Sequence, residues 1–238
     1  MPGRGKYVAI LAGLFLALCV AAVASLFAGR YALSAHDVMQ ILWQGNMPGE
    51  NPTRYSVIFN LRAPRVVAVM LVGGGLAVAG ATFQAVLKNA LASPDVLGTS
   101  SASAFGAALG ILLSLPFALS AMLSFLFGVV SLLLVFGICR LKRRQDALTT
   151  ILSGMIIASL FIAFVSVIKY VADPQDTLPA IVFWLMGSFA SVAKAQVYWL
   201  IPLFAACYLT IYRLRWKMNI LSLGDDEARI AGLNPPRL

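Results

Sequence analysis

The chain has 238 residues, of which 61% are apolar and 11% charged, and its formal net charge is +9. Soluble domains have about 45–50% apolar and about 25% charged residues, and disordered chains are more polar still, so both classes are excluded. A membrane span needs about 20 apolar residues, so a multi-pass membrane protein fits this length. Cys19, Cys139 and Cys207 lie within apolar runs and His36 is the single histidine, which predicts no catalytic residue, metal site or cofactor.

Six apolar segments predict an all-α, polytopic transmembrane bundle with six spans. They cover residues 7–28, 66–86, 99–115, 117–139, 148–171 and 196–212. The first follows two basic residues, as in a signal peptide, and Ala22-Val23-Ala24 resembles a cleavage site, but the many later spans favour an uncleaved signal anchor. With the N-terminus inside, about twice as many Lys and Arg residues lie inside as outside, which predicts an N-in and C-in topology. The net charge then needs no nucleic acid as partner.

Residues 29–61 are predicted to form an external loop, broken by two prolines, that contains one short interfacial helix. Ser34 and Asp37 have the spacing of a capping box. One helical face then carries Val38, Ile41 and Leu42, and Gly45 is a C-terminal stop. His36 lies in the first turn, and a solvated polar residue is preferred there to a pH sensor.

Glycine clusters mark two of the predicted spans. The second span contains Gly73-Gly74-Gly75 and Gly80, and each glycine costs about 1 kcal/mol of helix propensity. Because small residues let helices approach closely in lipid, this span is predicted to lie centrally in the bundle. Gly106 and Gly110 in the third span, with Ala102 one turn earlier, are interpreted as packing residues.

The spans carry no acidic residue near their centres. Proton-coupled carriers, intramembrane proteases and redox enzymes need ionisable or catalytic groups there, so these functions are disfavoured. Gln84, near the inner end of the second span, is the main polar exception, and a helix–helix hydrogen bond or a pathway lining accounts for it equally well. The sequence also lacks the GxxxxGK[ST] loop of ATPases, so ATP-driven transport would require a second polypeptide.

The segment after the sixth span is typical of a docking helix. Asp225, Asp226 and Glu227 open it, where acids favour the positive end of the helix dipole, and Gly232 with two following prolines ends it. Its apolar residues are Leu221, Leu223, Ile230 and Leu233. A helix lying on lipid is the alternative, which the acids disfavour because the inner leaflet is anionic.

Four ordered motifs resemble the permease subunit of type II ABC importers, the FecCD-like family that takes up iron-siderophores, haem and cobalamin. They are residues 61–65 (LRAPR), 88–100 (KNALASPDVLGTS), 183–188 (FWLMGS) and 219–232. Ala90 stands where the family usually has proline and Ala102 where it usually has glycine, and neither change breaks the pattern. Members usually have about ten spans, so the resemblance implies that the last four are missing here, as in a truncated chain, a fragment or one piece of a split permease.

The resemblance implies a protein of the bacterial cytoplasmic (inner) membrane that imports an iron-siderophore or a related iron chelate, haem or cobalamin by alternating access. It implies a homodimer of permeases, a cytoplasmic ABC ATPase dimer and a periplasmic or lipoprotein substrate-binding protein, with no enzymatic chemistry in this chain. Residues 1–238 then form one permease domain, with a cytoplasmic turn at 140–147 and a cytoplasmic coupling region at 213–238. The alternative is a fragment of a non-ABC secondary transporter or a passive membrane scaffold.

The resemblance also implies two groups of site residues outside the spans. Arg62 and Arg65, at the outer mouth of the second span, would dock the binding protein, with interfacial snorkelling as the alternative. A cytoplasmic gate, in place of a plain connecting turn, would comprise Asp146, Ala147, Leu148 and Thr149. ATPase coupling would use Leu221, Leu223, Gly224, Asp225, Asp226, Glu227, Ala228, Arg229, Gly232 and Leu233.

Residues 177–190 are apolar but too short to span the membrane. The resemblance implies a half-helix beside the fifth span that lines the outer opening and bends at Gly187-Ser188, whereas a loop at the outer interface is the alternative. The pathway candidates are Gln84, Trp184, Met186 and Gly187.

Overall fold

The computed structural model describes residues 4–29, 31–44, 52–90, 92–141, 147–223 and 230. Within these ranges the chain is helical and contains no strand, which confirms the predicted all-α class. The helices are α1 (Arg4–Phe27), α2 (Ala35–Gln44), α3 (Pro52–Ser56), α4 (Ala63–Leu87), α5 (Thr99–Leu112), α6 (Phe117–Leu141), α7 (Ala147–Val171), α8 (Thr177–Met186) and α9 (Lys194–Leu223). A π-helical turn at Val57–Arg62 joins α3 to α4, and a 3₁₀ turn at Pro94–Leu97 precedes α5.

Five helical stretches of the described chain are long and apolar enough to cross a membrane. They are Gly5–Phe27, Pro52–Leu87, Phe117–Leu141, Ala147–Val171 and Lys194–Ser222. The predicted third span corresponds to α5, which has 14 residues and is about 21 Å long, shorter than a hydrocarbon core of about 30 Å. It starts at the predicted residue but stops early, because Ser114 has a φ of 52° and Pro116 follows.

The chain divides into two compact units. The first comprises residues 1–74 and 189–206, and the second comprises residues 75–188 and 207–238. Helices α4 and α9 contribute residues to both.

The first unit has a small core under α2. Val38, Ile41 and Ile58 are buried there, and Phe27, Leu33, Tyr55 and Phe59 pack against them. Ser34 and Asp37 form a reciprocal capping box, in which each backbone N–H donates to the other side chain at 3.1 Å. The predicted amphipathic helix with this cap is therefore confirmed.

Residues 52–62 are helical, so the predicted external loop was wrong in its second half. A proline in the first helical turn loses no hydrogen bond, which lets α3 begin at Pro52. Pro64 would disturb an ordinary α-helical turn, because its ring clashes with the preceding turn and it has no N–H. The wider π-helical turn Val57–Arg62 lies directly before it.

The second unit is organised around α5, which packs between α6 and α7. Five of its small residues are buried, namely Ala102, Gly106, Ala107, Ala108 and Gly110. A Cβ added to Gly106 would lie 2.5 Å from the carbonyl oxygen of Leu123, and one added to Gly110 would lie 2.6 Å from the hydroxyl of Ser120. The predicted packing role of these glycines is confirmed, since both sit against α6 without space for a methyl group.

Two glycines of α4 have no close neighbour within the described chain. A Cβ built on Gly73 or Gly80 would have no neighbour within 4 Å, and the buried residues of α4 are Pro64 and Ala68. The central position predicted for this helix stays a prediction, and the close contacts that small residues make within the described chain lie on α5, α6 and α7.

The ends of α8 and α9 can be compared with the predicted ends of their segments. Helix α8 confirms that residues 177–186 form a half-helix instead of a loop, and it ends at Gly187, whose φ is 73°. Ile181 of α8 packs with Ala108, Ile168 and Ala172. Helix α9 continues to Leu223, past the predicted end of the sixth span at Tyr212, because basic side chains end an apolar run without ending a helix.

Candidate functional site

Arg62 is buried, with 7% of its surface exposed. Its Nη1 donates to the carbonyl oxygen of Leu26 at 2.6 Å, and its Nη2 donates to the carbonyl oxygen of Tyr31 at 2.6 Å. Leu26 lies in the last turn of α1, where carbonyls lack a partner within the helix. A Cβ on Gly29 would meet Nη2 at 2.6 Å, so this loop fits around the guanidinium because residue 29 is glycine. Arg62 thereby ties the end of α1 to the start of the second predicted span.

Arg65 is placed differently. Its side chain is exposed, and it donates from Nε to the carbonyl oxygen of Phe189 at 3.0 Å and from Nη2 to that of Ala190 at 2.7 Å. Carbonyl oxygens are neutral, so the positive charge of Arg65 is not neutralised by these bonds and remains available to an acidic partner. Of the two arginines in the LRAPR motif, Arg65 therefore has the geometry for an external contact.

The predicted cytoplasmic gate lies at the start of α7. Asp146 falls outside the described residues, Ala147 begins the helix, and Leu148 is 63% exposed. One turn into α7, the hydroxyl of Thr150 lies 3.6 Å from the thiol of Cys139 on α6. Both side chains are buried, so the helix ends flanking the turn are held together by a polar contact.

A residue that the sequence analysis missed, Gly154, holds the motif at 88–100 against α7. A Cβ on Gly154 would overlap the carbonyl oxygen of Val96 and lie 2.8 Å from the Cα of Leu97. The motif also has an internal contact here, since the hydroxyl of Ser100 donates to the carboxylate of Asp95, and Gly98 turns the chain with a φ of 72°. The adjacent small residues Ser153 and Gly154, both buried within an apolar helix, were the available signal for this contact.

The pathway candidates fall on the surface of the second unit. Trp184 and Met186 are 38% and 75% exposed, and both precede the left-handed Gly187, whose N–H donates to the carbonyl of Trp184 at 3.0 Å. Gln84 is exposed on the last turns of α4. The structure places Trp184, Met186 and Gly187 together at one helix end.

Most of the predicted coupling residues lie outside the described residues, namely those at 224–229 and 231–238. Leu221 is half-buried near the end of α9. Ile230 is 87% exposed, which leaves its apolar side chain without cover in the described chain.

The capping box determines the electrostatics of the short helix α2. The hydroxyl and backbone of Ser34 hold the pKa of Asp37 below its usual range, and Arg54 contributes through an ion pair at 2.7 Å. Among the described residues, no three His, Cys, Asp or Glu side chains are close enough to hold a metal ion.

Comparison with known proteins identifies the kind of protein that carries these features. Residues 15–238 match the sequence profile of the FecCD transport family. The chain is 39% identical over 229 residues to the molybdate import system permease protein of Haemophilus influenzae, covering 96% of this chain and 68% of that relative. It is 30% identical over 248 aligned positions to the hemin transport system permease protein of Yersinia pestis, covering 98% and 69%. The chain thus spans about two thirds of the length of these relatives.

A solved structure agrees with the sequence relatives. It is described as an inward-facing conformation of a metal-chelate type ABC transporter, and it matches with a TM-score of 0.82 and 37% identity over 97% of this chain and 70% of that one. Permeases of this family are transport subunits and not enzymes, and the ATPase is a separate partner. Together with the long apolar helices, the family indicates a multi-pass protein of the inner membrane. The alternatives of a secondary transporter fragment and a passive scaffold are set aside, and the chain belongs to the FecCD transport family of ABC importer permeases.

Proposed function

We propose that this chain forms the translocation pathway of an ATP-driven importer for an iron-siderophore or a related iron chelate, haem or cobalamin. The observation that carries the proposal is the match of residues 15–238 to the FecCD family, supported by relatives named for hemin and vitamin B12 transport. The described spans supply no charged group near their centres, which suits a large solute that is selected by a separate binding protein.

Molybdate is the second candidate substrate. It is favoured by one observation, the 39% identity to a molybdate import permease. A small dianion differs strongly from a chelate in size and charge, so the two candidates are separable by direct competition.

The substrate is tested with the complete transporter. The chain is reconstituted in proteoliposomes with its cognate ATPase and binding protein, and ATP-dependent uptake is measured for a ferric siderophore, haem, cobalamin and molybdate. Uptake of one chelate that excess molybdate does not inhibit supports the first candidate. Uptake of molybdate alone overturns it, and an ATPase partner without its catalytic glutamate is the control for each solute.

Docking of the binding protein is proposed at Arg65, with Arg62 acting behind it as a structural residue. Exchange of Arg65 for Glu is expected to weaken binding of the partner, because its exposed charge would repel an acidic surface. Arg62→Lys is the matched control for Arg65→Glu, because it keeps a positive charge on a side chain that is buried and is not proposed to contact the binding protein. Unchanged binding by Arg65→Glu, measured by surface plasmon resonance on nanodiscs, would overturn the role of Arg65.

The gate is proposed at Asp146, Ala147, Leu148 and Thr149. Cysteines at Ala147 of two permease copies are expected to cross-link when the inner side is closed, in a background where the native cysteines are replaced by serine. Cross-linking that does not respond to nucleotide would contradict a gate. The same experiment tests the homodimer, because no cross-link can form in a permease that has a different partner.

The half-helix α8 is proposed to line the outer opening through Trp184 and Met186. Labelling of single cysteines along 177–186 by a water-soluble maleimide is expected to follow the helical period. Ile181, which is fully buried, is the internal control and should stay unlabelled. Equal labelling of every position would indicate a loop that lines no pathway.

Coupling to the ATPase is proposed through residues 221–233. Burying a Leu or Ile side chain in a partner's groove contributes about 1.5–3 kcal/mol, and the exposed Ile230 is available for this. Gly232→Leu and Ala228→Arg are expected to abolish ATPase co-purification or to uncouple hydrolysis from transport. Normal assembly and normal transport in both variants would show that the ATPase docks elsewhere.

A further inference from the structure

The C-terminal part of α9 forms a basic and aromatic collar, defined here as residues 212–217. Arg213, Arg215 and Lys217 provide three positive charges, and Tyr212 and Trp216 are 60% and 59% exposed. The proposed transport pathway does not use these side chains. They lie at the start of the predicted coupling region, but the residues predicted to couple to the ATPase begin only at Leu221. Their position and chemistry indicate a partner of their own.

The length of α9 sets the depth of the collar. The uncharged stretch at 195–212 is about 27 Å long at the rise of an α-helix, close to the thickness of a bilayer's hydrocarbon core. The helix continues without a break to Leu223. The collar therefore begins where the hydrocarbon ends, and its length of about 9 Å is enough to cross the headgroup layer of about 5–8 Å.

The side chains of the collar are arranged for headgroups. The guanidinium of Arg215 lies 3.8 Å from the ring centroid of Tyr212, and Trp216 shares that face because it follows Tyr212 by four residues. Stacking uses the flat face of the guanidinium and leaves its edge of N–H donors free for phosphate oxygens. Exposed tyrosine and tryptophan are typical of the membrane interface.

The charges of the collar are not neutralised within the described chain. The one ion pair formed between described residues joins Arg54 to Asp37, at 2.7 Å. Arg213 and Lys217 share one face of the helix because they are four residues apart, and Arg215 lies on roughly the opposite face, since successive residues are turned by about 100°. Cations on two opposite faces of the helix at this depth complement the phosphates of an anionic lipid shell better than they complement one face of a protein.

We infer that residues 212–217 bind the headgroups of anionic phospholipids and so fix the depth of α9, next to the segment that leads to the coupling region. The inference holds for any transported solute. Each cation near an anionic surface is expected to favour anionic over zwitterionic lipid about fivefold. Exchange of single residues should therefore reduce the lipid preference in steps.

Trp216 allows a direct test. In the full chain with Trp43, Trp184 and Trp199 replaced by Phe, fluorescence quenching by brominated phosphatidylglycerol is compared with quenching by brominated phosphatidylcholine in mixed vesicles. We expect stronger quenching by the anionic lipid than by the zwitterionic lipid. Arg215→Gln should lower this preference about fivefold, and R213Q/R215Q/K217Q should abolish it. The matched control is Arg54→Gln, which removes the same charge from a residue that is already paired and should change nothing.

Three results would overturn the inference. The first is equal quenching by the two lipids, and the second is an unchanged preference in R213Q/R215Q/K217Q. The third is a triple variant that loses the ATPase while keeping its lipid preference, because the collar would then be a protein contact. Excess inorganic phosphate should leave the quenching unchanged, and competition by it would show that a free anion, and not a lipid, is the ligand.

Discussion

Replacement of Gly154 by Ala tests the closest backbone contact in the second unit. An added methyl group would overlap the carbonyl oxygen of Val96 and lie 2.8 and 2.9 Å from the Cα of Leu97 and the carbonyl carbon of Val96. Contacts between carbon atoms are most favourable at about 3.5–4.0 Å. All three neighbours are main-chain atoms of the turn Pro94–Leu97, so no side chain can rotate to relieve the overlap and the turn itself must move.

The expected cost follows from two opposing effects. Overpacking of this kind costs about 1–3 kcal/mol, and the upper end applies because the neighbours are backbone. Exchange of glycine for alanine within a helix returns about 1 kcal/mol. The net loss for Gly154→Ala is therefore about 2 kcal/mol. Gly137→Ala on α6 is the matched control, because nothing lies within 4 Å of its Cβ, and it should be stabilised by up to about 1 kcal/mol.

Cys139 provides the assay. It is buried in the same cluster as Leu97, so in a background where Cys19 and Cys207 are serine, a thiol-reactive dye reports thermal opening of this cluster. We expect the midpoint to fall by several degrees for Gly154→Ala and to stay or rise for Gly137→Ala. Equal midpoints in the two variants would refute the reasoning, because they would show that the turn at Pro94–Leu97 does not rest on α7.

Two further predictions concern the first unit. Arg62→Ala removes two charged hydrogen bonds of about 1.5–3 kcal/mol each, so it should raise the hydrogen exchange of residues 26–33. Arg65→Ala should leave that exchange unchanged. Equal exchange in the two variants would contradict the contact between Arg62 and the end of α1. Because its folded-state pKa is lowered, Asp37 stabilises α2 above the usual aspartate range, and this contribution is lost as the pH falls through the lowered pKa. In a variant that keeps Trp43 as its single tryptophan, the fluorescence should therefore change on acidification below about pH 4. In Ser34→Ala the same change should occur at a higher pH. An unchanged midpoint in Ser34→Ala would show that another group titrates.

Local sequence patterns were sufficient to predict those structural features whose determinants lie within one or two helical turns. The capping residues Ser34 and Asp37 predicted the start of α2, and the four-residue spacing of Gly106 and Gly110 predicted a packing face. Apolar runs likewise located the long helices to within a few residues at most of their ends.

Sequence reasoning was insufficient where the determinant is distant in the chain or where one residue type is compatible with two local structures. The motif does not indicate the hydrogen-bond partners of Arg62, because Leu26 and Tyr31 lie more than thirty positions earlier in the chain. One of the two prolines predicted to break the external loop is Pro52, although proline is tolerated in the first turn of a helix. The importance of Gly154 depends on which turn rests against it, and no periodicity in α7 contains that information.

The contact of α5 with α6 restricts the movements available to a transport cycle. Backbone atoms of α6 lie close to the Cβ positions of Gly106 and Gly110. On α6, the Cβ position of Gly128 is likewise close to the hydroxyl of Ser103. A slide of α5 by one turn, about 5.4 Å, would bring Leu113 towards Ser120 in place of Gly110. These helices therefore resist a slide in that direction, whereas a slide in the opposite direction would bring Gly106 to the place of Gly110. Movement of either helix in the first direction is therefore expected to carry the other helix with it.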